Sequence, residues 1–326
     1  MRLAAFRLIG EPEGTRRVGL VVGDGPNWWL HPFPAGTDLV ELLAADRDER
    51  EAAADGAARG DGLRPEQVRL LPPVYPVAMR DFLTFEAHVD GMERGHGNPG
   101  PPPEWYAAPS FLFMAPHAVT GPFDDVAIAP DTERFDYELE MAAIICRDVR
   151  NVDPAKARSA IGGYCVMNDW SARDVQGREM KLKLGPSKGK DFATTIGPWV
   201  VTADELDSCR DGDGFLDLKM TVRVNGEVTG SDRSGHMGWS FEHLVSYASR
   251  ASWVKRGEVL ASGTCGSGSL AEAWGRNGSL TPRPLRAGDV VEMTIERLGT
   301  IRNRVVAGTE TVPEIVPARR RIREEV

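Results

Sequence analysis

Residues 135–141 read FDYELEM and place a carboxylate at every second position, Asp136, Glu138 and Glu140. An extended strand sends Phe135, Tyr137, Leu139 and Met141 to one face and the three acids to the other. Neighbours two apart on a strand sit roughly 6 to 7 Å from each other. At an effective dielectric of about 20, each adjacent like-charged pair costs on the order of 2.5 kcal/mol. Bulk water, basic side chains or a metal ion must offset that repulsion. A solvated edge strand and a cation site are both compatible with the heptapeptide alone.

The rest of the chain narrows the choice. At 326 residues with 41% hydrophobic and 27% charged content, it has the make-up of a soluble globular protein of one large or two smaller domains. A net charge of −9 and a pI near 5.3 argue against nucleic-acid or anionic-membrane partners, which need a basic footprint. The basic cluster ARRRIREEV at the C-terminus reads as a solvated tail. The apolar run near the N-terminus is broken by Arg7 and Glu11, too short and polar for a signal peptide. No stretch approaches the about 18 apolar residues a membrane span needs, so the expected location is cytoplasmic. The four cysteines, Cys146, Cys165, Cys209 and Cys265, have no short paired spacing and read as reduced thiols rather than zinc ligands.

Residues 1–72 read as a small N-terminal α/β unit, two strands followed by a helix from about Asp38 to Ala57. The Pro-rich LLPPVYP that follows suits a linker, and residues 73–326 form a second, strand-dominated domain. Within it, residues 79–95 are helical in period, and HGNPGPPPEW is too rich in Gly and Pro for regular structure, as in a lid spanning about 80–108. Alternation over Leu218, Met220, Val222 and Val224 ahead of Asn225-Gly226 predicts a hairpin, and residues 287–305 predict another. A helix is expected from Pro154 to the stop at Gly162-Gly163, and another after Ser240 with Phe241, Leu244, Val245 and Ala248 on one face. The fold class expected is α+β, predominantly β.

Asp169 falls at the end of the apolar run Tyr164–Met167. Arg173 at +4 and Gln176 at +7 would share a helical face with it, putting a carboxylate, a guanidinium and an amide together. A capped helix with an Asp169–Arg173 pair is the structural alternative. Downstream, GPSKGKDF carries Lys190 but has three residues between Gly185 and Gly189 where a P-loop needs four. The Gly-rich run SGTCGSGS is either an anion-approaching backbone or a linker.

FDYELEM, MNDWSARDVQ, GKDFATTIGPWVV and LASGTCGSGS, in that order and at these separations, resemble the fumarylacetoacetate hydrolase family over roughly residues 76–308. The resemblance implies a mixed β-roll catalytic domain that forms a homodimer. It also implies a divalent cation, Mg²⁺ or Mn²⁺ with Ca²⁺ also admitted, on Glu138, Glu140 and Asp169. Asp136 is then left over as a supporting or surface residue. Arg173, Gln176, Lys190 and Thr264 are placed at the substrate, with Thr194 lining the site. The implied activity is metal-dependent hydrolysis of a C–C bond in a 1,3-diketo acid, an acylpyruvate or fumarylacetoacetate-like catabolite. Decarboxylation, hydration or isomerisation of a 2-oxo acid would use the same site. Among the six histidines, His88 matches the family's general base. Its partner is expected to be Glu272, with Glu86 and Glu93 as nearby alternatives, because Gly91 stands where shorter members carry a glutamate. Some members have a fourth carboxylate, at about the position of Thr84, so three carboxylates are expected here.

Overall fold

Period-two burial organises the molecule. A computed structural model describes residues 1–25 and 27–319, so most of the basic C-terminal cluster, residues 320–326, lies outside the described residues. An eleven-stranded sheet runs in the order Asn27–Pro32, Arg17–Asp24, Arg2–Leu8, Thr194–Thr202, Ile161–Asp169, Leu139–Ile145, Val259–Ala261, Met79–Phe82 and Phe111–Met114. Val68–Leu71 and Val119–Thr120 join it off this path. The strands of the first 72 residues thus extend the same sheet, through Arg2–Leu8 against Thr194–Thr202. A five-stranded sheet, ordered Glu227–Arg233, Lys219–Val224, Val290–Ile295, Gly299–Val306 and Val126–Ala127, stacks on it. This is an α+β architecture dominated by strands.

Alternate residues of each central strand feed two separate cores. Leu139, Met141, Ala143 and Ile145 enter the core shared with the second sheet, together with Met220, Val222 and Met293. Ala142 and Ile144 point the other way and pack with Cys165, Met167, Ile196, Met79, Leu39 and Leu43. Continuing that second face towards one end of the sheet, the residues in phase are Glu140, Glu138, Asp169, Thr194 and Asp81. The face that is apolar under the N-terminal helices therefore becomes acidic at its other end.

Both hairpins form as expected. Asn225 and Gly226 take φ of 53° and 85° at the tip of the first, the left-handed values the turn requires. Phe241–Ala248 buries Phe241, Leu244, Val245 and Ala248. All four cysteines are free, and three are buried.

Several local expectations change. Residues 79–82 are a strand of the main sheet, and only Glu86–Gly95 is helical. The helix of the 40s and 50s is two, Leu39–Ala44 and Arg47–Ala58, each capped by its own aspartate, Asp38 and Asp46. The helix expected to stop at Gly162-Gly163 ends at Ala157, runs on as a tight turn to Ala160, and gives way to a strand containing both glycines. These glycines serve packing: a Cβ on Gly162 would lie 2.7 Å from Leu43 Cβ. Among the described residues, no helix is long and apolar enough to cross a membrane.

Candidate metal and acid–base site

Asp81, Glu138, Glu140 and Asp169 each offer an oxygen within 4.8 Å of the others, and all four side chains are buried. Strand register brings them together. Glu138 lies beside Asp169 across the Leu139–Asn168 pairing, and Ala261 connects Glu140's strand to Asp81 through its pairings with Ala142 and Asp81. Four carboxylates therefore converge where three were expected. The fourth is Asp81, not the position of Thr84, whose hydroxyl donates to the Ser262 carbonyl at 2.6 Å. Asp81 was obscured because its segment has a helical period. On a strand, Met79 and Asp81 share a face, and that face leads into the acidic cluster.

The FDYELEM segment is also not one unbroken strand. Phe135–Asp136 pairs with Ser171–Ala172, Leu139–Ile145 joins the main sheet, and Glu138 bridges to Ser269. Asn168 fixes the break by accepting from the Glu138 amide at 3.0 Å, and Trp170 stacks on Phe135 with rings 5.5 Å apart. Asp136 is fully buried rather than on the surface. It accepts from the amides of Leu270 and Ala271, at 2.8 and 2.9 Å, at the start of the helix Leu270–Asn277. There a carboxylate completes unpaired N–H groups and complements the helix dipole.

Arg173 starts the helix Arg173–Met180, whereas Asp169 ends a strand, so the shared helical face with Asp169 does not exist. The guanidinium instead donates to Asp136 at 2.8 Å, Glu138 at 2.7 Å and Gln176 at 3.1 Å. Lys190, buried, donates to both Glu138 and Asp169. Thr264 reaches Glu140 at 3.4 Å, and Thr194 is buried at the sheet end. The Gly-rich loop turns its amides on carboxylates of the protein itself: Gly266 donates to Asp232 and Ser267 to both oxygens of Glu272.

These charges do not balance. Five carboxylates, counting Asp136, face two fixed cations and a helix N-terminus. Burial pushes the carboxyl of Asp81 up to about 6, with neighbouring Glu138 adding to the rise and Lys190 opposing it. Burial and the surrounding Asp81, Glu138 and Asp169 hold Glu140 well above the usual carboxylate range. Asp169 is also raised, by burial more than Lys190 can offset. Glu138 alone goes down, because Arg173 and Lys190 together outweigh its burial. Asp81 Oδ1, Glu140 Oε2 and Asp169 Oδ1 are buried without any hydrogen-bond partner. Orphaned oxygens of that kind are costly, and a surplus of negative charge around them fits a divalent cation with hard oxygen ligands.

His88 sits beside this cluster on the helix Glu86–Gly95 and is buried. Its Nδ1 lies 3.2 Å from Glu272 Oε2, and its Nε2 faces the cluster, 4.0 Å from Glu138 Oε1. Glu272 is fully buried, in the first turn of a helix that Ser269 caps, and Arg276 pairs with its other oxygen. Of the alternatives, Glu86 accepts from the Tyr106 hydroxyl at 2.6 Å and Glu93 from Asn98, so neither reaches His88's ring. The two helices cross at glycines, where a Cβ on Gly95 would come 2.9 Å from Gly275 Cα. A cavity of about 280 Å³ opens onto His88, Glu138, Arg173, Gln176, Lys190 and Thr264. A larger hollow, about 720 Å³ near Trp28 and Phe123, shares no residue with it.

Residues 78–306 match the model of the fumarylacetoacetate hydrolase C-terminal domain. The chain belongs to the fumarylacetoacetate hydrolase family. It is 31% identical to human mitochondrial oxaloacetate tautomerase FAHD2A over 322 residues, covering 94% of this chain and 92% of that protein. It is 32% identical to maleylpyruvate hydrolase from Aquipseudomonas alcaligenes over 193 residues, 59% of this chain and 58% of that one. The solved fumarylacetoacetate hydrolase of Exiguobacterium antarcticum superposes with a TM-score of 0.71 at 26% identity, covering 94% of this chain and all of that one. The family holds both hydrolases and tautomerases of small oxo acids.

Proposed function

We propose that this fumarylacetoacetate hydrolase family member is a divalent-metal-dependent hydrolase of 1,3-diketo acids of the acylpyruvate class. The observation that carries the reading is His88, oriented by Glu272 through one ring nitrogen while the other faces four buried carboxylates. Asp81, Glu138, Glu140 and Asp169 are the residues that would hold Mg²⁺ or Mn²⁺. A bound dication would supply Lewis-acid polarisation of the substrate's oxygens.

The chain's own residues supply the remainder. Glu272 accepts from His88 Nδ1, which leaves Nε2 unprotonated and able to take a proton from water. Water then adds to the distal carbonyl, and the bond between that carbon and the central methylene breaks. The electron pair stays on the methylene carbon, which takes a proton to give pyruvate, while the acyl half leaves as a carboxylic acid. Arg173, Gln176 and Lys190 line the cavity where the substrate's carboxylate and carbonyls would lie, and Thr264 borders it.

A second reading, tautomerisation of a 2-oxo acid, is favoured by the nearly full-length similarity to a protein named as an oxaloacetate tautomerase. His88 would then move a proton between carbon and oxygen without adding water. The test is to strip metal, restore Mg²⁺ or Mn²⁺, and follow the enol absorbance of an acylpyruvate series with product analysis. Recovery of pyruvate and a carboxylic acid supports hydrolysis. Enol–keto exchange without cleavage supports tautomerisation, and no metal-dependent change in any substrate overturns both.

A further inference from the structure

We propose that the end of the substrate remote from the carboxylate cluster is uncharged and apolar, so that the site selects monocarboxylic oxo acids over those with a second, distal carboxylate. The inference rests on the oxo-acid reading above and adds to it the substrate's tail.

The cavity has two chemically distinct ends. Of its lining, the side chains of His88, Glu138, Arg173 and Lys190 are buried against the acidic cluster, whereas Met92 and Leu112 are half-buried and Leu83 and Met180 exposed, which marks the apolar end as the outer one. One helix supplies both: Met92 is four residues from His88 and three from Val89, so it neighbours each of them on the surface of Glu86–Gly95. Met180, at the far end of the helix begun by Arg173, is 50% exposed, and Leu83 is 39% exposed. Both are large apolar groups over a cavity mouth, where a hydrocarbon tail would cover them.

The charges point the same way. The lining contributes two fixed cations, Arg173 and Lys190, and both are drawn inward onto Asp136, Glu138 and Asp169. Outside the acidic cluster and its two cations, the remaining acidic residue of the lining is Glu93, half-buried and next to Met92. A distal carboxylate would lose water against methionine and leucine side chains, meet no further cation of the lining and stand near a like charge. A methyl terminus meets none of these costs. The small cavity, about 280 Å³, limits the tail to a short chain.

The test compares α-ketohexanoate with α-ketoadipate, which differ only in a terminal methyl against a terminal carboxylate, by calorimetry on the Mn²⁺-loaded full chain. The monoacid is expected to bind about tenfold more tightly, the ratio that about 1.4 kcal/mol produces. Met180→Lys, at a half-exposed position, should raise the diacid's affinity and narrow the gap, and Glu93→Gln should narrow it in the same direction. Equal or tighter binding of the diacid by the parent protein overturns the tail assignment. If acylpyruvates are still processed in that case, the catalytic reading stands. Preferential binding of the monoacid with no turnover of any oxo acid supports the tail assignment and overturns the catalytic one. Binding of neither acid overturns the tail assignment and leaves the catalytic reading to the acylpyruvate assay.

Discussion

Glu272 fills the space above Gly91: a Cβ added at Gly91 would overlap Glu272 Cγ. The glycine and the glutamate are therefore one arrangement, in which the helix Glu86–Gly95 gives up a side chain so that a carboxylate from the neighbouring helix can reach His88. Gly91→Ala should push Glu272 off Nδ1 and overpack a buried contact, costing about 1 to 3 kcal/mol of stability. Activity should fall further than the loss of folded protein explains. Thermal unfolding and kcat measured on one preparation separate the two effects, and unchanged kcat would disconnect Glu272 from catalysis.

His88→Ala and Glu272→Gln should each lower kcat by about a hundredfold or more while leaving Mn²⁺ affinity nearly unchanged. Because the pair acts as a unit, the double variant should be little worse than either single one. Additive losses would mean that the two residues work separately.

Asp81→Asn should weaken Mg²⁺ or Mn²⁺ binding by about tenfold or more, since it removes one of the four charges facing the site. Thr84→Val is the control, because the Thr84 hydroxyl is already committed to the Ser262 carbonyl. Calorimetric titration of metal into both variants decides whether the fourth carboxylate is a ligand.

The metal-free protein should lose stability as pH rises from about 4 to about 6. Asp81 is raised to about 6 in the fold, and Glu140 and Asp169 are also raised, so the native state holds protons that the unfolded chain has released. Their contribution is complete below the ordinary carboxylate range and disappears as pH climbs through the folded values. Metal affinity should rise over the same interval, because the cation needs the ionised groups. Urea titrations at several pH values, with chelator and with Mn²⁺, should show opposite slopes.

Asp136→Ala would strip Arg173 of one partner and leave the Leu270 and Ala271 amides unmet inside the protein. Breaking a buried pair of this kind costs about 3 to 5 kcal/mol. Denaturant unfolding should show a loss of that size, and a loss below about 1 kcal/mol would mark Asp136 as dispensable.

What the sequence revealed follows from how local each signal is. The hairpin at Asn225-Gly226 and the helix after Ser240 were legible because turn chemistry and a single buried face are written in consecutive residues. Glu138, Glu140 and Asp169 were legible within an ordered set of motifs, and His88 only through the resemblance those motifs carry. Asp81 was not, because Arg80-Asp81-Phe82 looks helical until its pairing with Val259–Ala261 fixes it as a strand. Gln176 is a partner of Arg173 as its spacing suggests, but the carboxylate partners are not Asp169: they are Asp136 and Glu138, which no local pattern connects to Arg173. Asp136 looked spare because the helix it caps begins 134 residues later.

Lys190 also has a consequence for how the protein matures. With its ammonium clasped by Glu138 and Asp169, the acidic end of the sheet carries a counter-charge of its own, so the chain can close around that end before any ion arrives. A dication binding there would compete with the Lys190 ammonium for oxygens of Glu138 and Asp169 within finished architecture, an exchange of partners that would free the amine.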